Sequence, residues 1–215
     1  MRLTKYEVIS FVATASIFAS VFGFFLGYPN ISTSMGAGSN APSETFKNQK
    51  YSYAQPIDNL NGVNVYYNGK VGTVTGRSLT EDGYNLGLKY QCVEFIKRYY
   101  YEYYSHKMPD SYGHAKDFFD EQIPDGWMNR QRNLRQFTNG SISRPRTGDI
   151  LVFGPTPSNK YGHIGIVAKS GRNIVEMIHQ NAGPDQDTRV VYKLRRDHDK
   201  WHVQNDQLLG WLRRS

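Results

Sequence analysis

The sequence predicts an α+β fold in which an antiparallel sheet packs against a single early helix, preceded by one transmembrane helix. Three observations lead there. Residues 90–104 carry apolar and aromatic side chains at helix spacing, and several short apolar runs separated by turn residues follow them. One helix followed by a run of strands is an α+β pattern. Residues 8–28 form 21 positions without a charge, enough at about 1.5 Å per residue to cross a bilayer core of about 30 Å.

Taken in order, the chain divides into residues 1–28, 29–58 and 59–215. The first segment exceeds the apolar region of about 7–15 residues usual in a cleavable signal, so it is expected to stay as an anchor. Arg2 and Lys5 precede it and no further Lys or Arg comes before Lys47. The positive-inside rule then exports the rest of a single-pass membrane protein, to the periplasm or the exterior. Residues 29–58 are rich in Ser, Asn, Gly and Pro without an apolar period, the composition of a flexible linker.

In residues 59–215, a strand is expected at 61–67 and the main helix at 90–104, with Gly83, Asn85 and Gly87 breaking structure before it. A second helix is expected at about 114–122, capped by Asp110 or Ser111. Strands are expected at 149–153, 163–169 and 173–181, and residues 210–212 close the sheet.

The 26 basic residues against 19 acidic ones give a net charge of +7. No nucleic-acid motif accompanies the excess, and no Gly-rich phosphate loop precedes a helix, so neither nucleic acid nor a nucleotide is expected as a partner. Arg130, Arg132, Arg135, Arg144 and Arg146 fall in a stretch without an acid. Such a run is ordinarily a solvated face, with attraction to an anionic polymer or lipid as the other reading. A single cysteine excludes an internal disulfide and a Cys-rich metal site, and no cofactor is expected.

Cys92 nevertheless falls in the first turn of the main helix, where the dipole and free N–H groups favour a thiolate and lower its pKa. A thiol nucleophile needs a base. Of six histidines, His163 opens an apolar strand after Gly162, a small residue that leaves room for a substrate. Two registers fit the turn after it. A three-residue loop, Ser170-Gly171-Arg172, pairs His163 with His179 and continues that face with Asn181. A two-residue loop, Gly171-Arg172, brings Glu176 and Gln180 to His163 instead.

The string Tyr90-Gln91-Cys92-Val93-Glu94-Phe95-Ile96-Lys97-Arg98 resembles the nucleophile helix of CHAP amidohydrolases, which have a papain-like fold. It is most similar to the amidase domain of glutathionylspermidine synthetase/amidase and its trypanothione relatives. Phe137-Thr138-Asn139-Gly140-Ser141, Gly148-Asp149-Ile150-Leu151-Val152-Phe153 and Gly162-His163-Ile164-Gly165-Ile166-Val167 extend the resemblance, as do His179-Gln180-Asn181 and Leu209-Gly210-Trp211.

The resemblance implies a CHAP amidase domain over residues 59–215, with Cys92 as nucleophile and His163 as general base. Lys97 matches a substrate-contacting arginine, Asn181 a site asparagine and Arg98 a basic position that a solvated helix face explains equally well. Gln91 is a polar neighbour that orients. His179 stands where the family commonly has a glutamate, so the third catalytic member is open between His179, Asn181 and Glu176. The substrate expected is a peptidoglycan peptide, which export favours over the alternative that the motifs suggest, a small peptide–polyamine amide conjugate of the glutathionylspermidine type. The competing class is a non-hydrolytic envelope-binding module.

Overall fold

Twelve strands and one α-helix make up the regular structure among residues 50–183, 185 and 187–215, the part of the chain that the computed structural model describes. A hairpin of β1 (Pro56–Leu60) and β2 (Val63–Tyr66) leads to a second pair, β3 (Arg77–Leu79) and β4 (Asn85–Leu88). Then comes α1 (Cys92–Tyr104), followed by a 3-10 turn, Ala115–Phe118. The remaining strands are β5 (Met128–Asn129), β6 (Leu134–Thr138), β7 (Ile150–Phe153), β8 (His163–Ser170), β9 (Ile174–Ile178), β10 (Arg189–Asp197), β11 (Lys200–Val203) and β12 (Leu208–Arg213). They form one eight-stranded antiparallel sheet in the order β11-β10-β9-β8-β7-β12-β6-β5.

Alternation along the central strands builds two cores. Ile150, Val152, Ile164, Ile166 and Ile178 pack with Phe95, Ile96, Tyr99 and Tyr100 of α1. Leu151, Phe153, Val167, Val175 and Met177 line the other face with Trp211 and Leu194. Because β7 is buried on both faces it reads as an unbroken apolar run. The helix ends where Ser105 takes a left-handed conformation, its N–H returning to the carbonyls of Tyr100 and Tyr101.

The class is therefore mostly β, which corrects the expected α+β fold. The segment expected as a second helix makes only one 3-10 turn. Ala115 and Phe118 are drawn into the core, and Phe119 is already extended. The unexpected strands β10 and β11 are half-exposed, and their outward Arg and Lys residues mask the alternation. The membrane expectation is corrected too. Among the described residues no helix is long and apolar enough to cross a membrane, and residues 8–28, which prompted a single-pass location, lie outside them.

The β8–β9 pairing follows neither expected turn. Ser170 pairs with Val175 and Lys169 with Glu176; an irregularity at Ala168 then brings Val167 to Met177 and Ile166 to Ile178. Beyond this bulge the face parity is that of the three-residue loop, which keeps His163 and His179 on one side.

Candidate active site

The start of α1 is held by its surroundings rather than by a side-chain cap. Tyr90 takes φ +55°, left-handed for a residue with a side chain, and its ring packs on Tyr66 at 4.9 Å and Tyr53 at 5.4 Å. Gln91, the N-cap, makes no side-chain cap bond. Its amide instead donates to the carbonyls of Thr73 (2.8 Å) and Val71 (3.3 Å). Cys92 is the first helical residue, half-buried against the α1 core.

Backbone N–H groups of Val93 and of Ile164, the residue after His163, face the sulfur and favour a thiolate. Burial outweighs them and pushes the thiol up to about 11. The expected lowering of its pKa is thereby corrected: the helix terminus contributes, but desolvation wins, and the resting group is a thiol.

His163 opens β8 after Gly162, whose φ is +72°. A Cβ at Gly162 would sit 2.4 Å from the Phe153 carbonyl oxygen and 3.1 Å from the Lys116 Cβ. Glycine there serves close backbone approach, not space for a substrate. Nε2 of His163 lies 2.7 Å from Nδ1 of His179, with the rings nearly perpendicular. Burial pushes His163 down to about 3, with His179 beside it adding to the shift, and pushes His179 down to about 4. Both are neutral at pH 7, so one ring donates and the other accepts. Nδ1 is then the His163 nitrogen left for a reacting proton.

Asn181 takes φ +62°, a turn conformation that asparagine tolerates. Its Nδ2 donates to Gln91 Oε1 (2.5 Å) and the Val71 carbonyl (3.0 Å), and its Oδ1 accepts from Asn68 (3.1 Å). Asn181 thus ties the β9 end to the N-cap of α1 and makes no hydrogen bond to His163. Glu176 pairs with Arg189 at 2.7 Å, away from the histidines. Lys97 is buried, donating to the carbonyls of Asn85 and Ser111 with its ammonium 4.6 Å from the Tyr84 ring. Burial, with Arg132 and Arg77 nearby, lowers it to about 8.

Two residues carry more than their sequence suggested. Arg98 is 7% exposed and paired with buried Glu94 at 2.7 Å, which overturns a solvated helix face. Gln180, 1% exposed, donates to Glu94 (2.9 Å) and the Gln91 carbonyl (3.1 Å) and accepts from the Tyr66 N–H (2.8 Å). The four-residue spacing of Glu94 and Arg98 was the available signal. The arginine stretch is structural in part: Arg132 is buried, donating to the carbonyls of Asp110, Tyr112 and Asp117. A wide trough of about 1010 Å³, lined by Phe119, Glu121, Asn139, Asp206 and others, includes none of the candidate residues.

Residues 82–181 match the family model described as CHAP domain, in line with the resemblance carried by the Cys92 and His163 strings. Two similar proteins come from Crithidia fasciculata. Trypanothione synthetase is 24% identical over 135 residues, 61% of this chain and 21% of that protein. Glutathionylspermidine synthase is 26% identical over 140 residues, 59% of this chain and 19% of that protein. The match thus spans about a fifth of each relative's length. The match at residues 82–181 to the CHAP domain model implies a function of the amidase or peptidase type, that of a hydrolase acting on amide bonds.

Proposed function

We propose that this CHAP-domain chain hydrolyses its amide substrates through Cys92 as nucleophile and His163 as general base. The observation that carries the reading is the His163–His179 hydrogen bond at 2.7 Å, formed at the strand end whose next backbone N–H, that of Ile164, faces the Cys92 sulfur. Nδ1 of His163 takes the thiol proton as sulfur attacks the amide carbonyl, because burial disfavours a standing thiolate–imidazolium pair. The resulting imidazolium, depressed in pKa, is a strong acid and protonates the leaving amine. Water then enters, His163 removes its proton, and the acyl-thioester is cleaved to the acid and the free thiol. Helix-terminal N–H groups near Cys92 are suited to the oxyanion.

His179, neutral, orients His163 without adding a negative charge. Gln91 and Asn181 act together to hold the nucleophile's turn, and Lys97 supports the wall formed by β4 and the Ser111 loop. For the substrate we infer a small peptide–polyamine amide of the glutathionylspermidine class, from the similarity to two proteins named for making such conjugates. The test is release of glutathione and spermidine from glutathionylspermidine by the full chain. Release that disappears with Cys92→Ala supports both parts. Cleavage of purified peptidoglycan peptides alone would sink the polyamine assignment, and turnover retained by Cys92→Ala would sink the cysteine mechanism.

A further inference from the structure

Behind the catalytic base, the second histidine carries a buried polar atom that no described residue bonds. His179 is 5% exposed, and its Nδ1 is taken up by His163. Its Nε2 has no hydrogen-bond partner among the described residues. Asn68, 2% exposed, is in the same position: Nδ2 donates to Asn181 Oδ1 (3.1 Å) and the Thr73 carbonyl (3.2 Å), while Oδ1 is buried with no partner among the described residues. His179 and Asn68 line one small cavity, together with Val65, Asn181, Asp187 and Thr188. Native proteins rarely leave two such atoms unsatisfied in residues lining one cavity, since each costs about 1–3 kcal/mol.

The size of the space identifies what it takes. About 20 Å³ is open to the centre of a water-sized sphere, against about 10–15 Å³ needed by one water. The Asp187 carbonyl also lies toward the His179 ring, without reaching direct hydrogen-bond geometry. A bridging molecule here meets an imidazole N–H, an amide oxygen and a carbonyl, the two to four polar partners that hold a buried water.

We propose that this cavity is a binding site for one water molecule, which accepts the Nε2–H of His179 and donates to Oδ1 of Asn68. The site rests on the reading of His163 as the base and extends it. A proton on Nε2 of His179 leaves Nδ1 as a lone pair. That lone pair accepts from His163 Nε2–H, and His163 Nδ1 is then the lone pair that takes the thiol proton. The water sets the tautomer of both rings. A histidine–water pair thus stands where the resembled family commonly has a carboxylate, with His179 as a positioning residue.

Long-range ¹H–¹⁵N spectra of the full chain report which nitrogen of each imidazole is protonated, with His163→Ala and His179→Gln spectra assigning the signals. The expected result is protonation at Nε2 of His179 and magnetisation transfer from a bound water to that proton. Val65→Ile adds a methylene to the cavity wall. It should abolish the water transfer and lower kcat by about tenfold, the scale of a buried donor left without its acceptor, with KM unchanged. Val65→Ala, which enlarges the cavity, should keep both. Protonation of His179 at Nδ1, or no transfer from water in the wild type, overturns the site. Wild-type protein that shows the water signature yet releases no product would sink the amidase reading and leave the water site standing.

Discussion

His179 and Gln180 are adjacent in the chain and belong to two buried polar clusters built on opposite plans. Gln180 joins Glu94 and Arg98 in a charged cluster in which the carboxylate, guanidinium and amide are all hydrogen-bonded. His179 joins His163 in a neutral pair that leaves Nε2 with no partner among the described residues. The difference separates structure from chemistry. A saturated ion pair fixes the end of β9 to the start of α1 and resists change. A neutral pair with spare capacity can accept and release a proton during a reaction at modest cost.

Removing one member from each cluster should break the comparison most sharply. His163→Ala is expected to lower kcat/KM by about 10²–10⁴-fold, the range for a general base, and to cost about 1–3 kcal/mol of stability at pH 7 for the His179 Nδ1 it leaves unpaired; steady-state hydrolysis and chemical denaturation measure both. Glu94→Ala should do the reverse. It strands Arg98 in a buried site and is expected to cost about 3–5 kcal/mol in chemical denaturation.

Acid sharpens the contrast next. The folded-state pKa of His179 lies near 4 against an ordinary value of 6.5. Between these values the unfolded chain binds the proton and the folded one does not, so stability falls as pH drops from about 6.5 towards 4. His179→Gln removes that penalty. Its disadvantage relative to wild type should shrink by on the order of 3 kcal/mol between pH 7 and pH 4, read from urea midpoints.

The smallest effect concerns the thiol. Since burial holds Cys92 up to about 11, its alkylation by iodoacetamide should rise only in alkaline solution. A plateau of fast labelling at pH 6 would reveal a standing thiolate and contradict the neutral resting pair.

Local patterns made a definite part of this legible. The helix around Cys92 showed in its apolar spacing, and β7 and β8 in continuous apolar runs. The β10 and β11 strands did not show, because their exposed faces carry Arg and Lys where a period-two pattern would be read. Arg98 looked like a surface cation because its partners Gln180 and Tyr66 come from distant parts of the chain, the segment after β9 and strand β2. Gly162 looked like room for a substrate, when the space is filled by the Phe153 carbonyl and Lys116.

By itself the sequence determined that a lone cysteine begins a helix, that His163 opens an apolar strand, and that their motifs resemble one family. Each is a property of neighbouring residues. Only the tertiary structure decided that His163 meets His179, that Glu176 is spent on Arg189, and that the thiol rests protonated. Register depends on the bulge at Ala168, one residue that resets every pair beyond it. Protonation depends on desolvation summed over side chains far apart in the chain, which no local pattern contains.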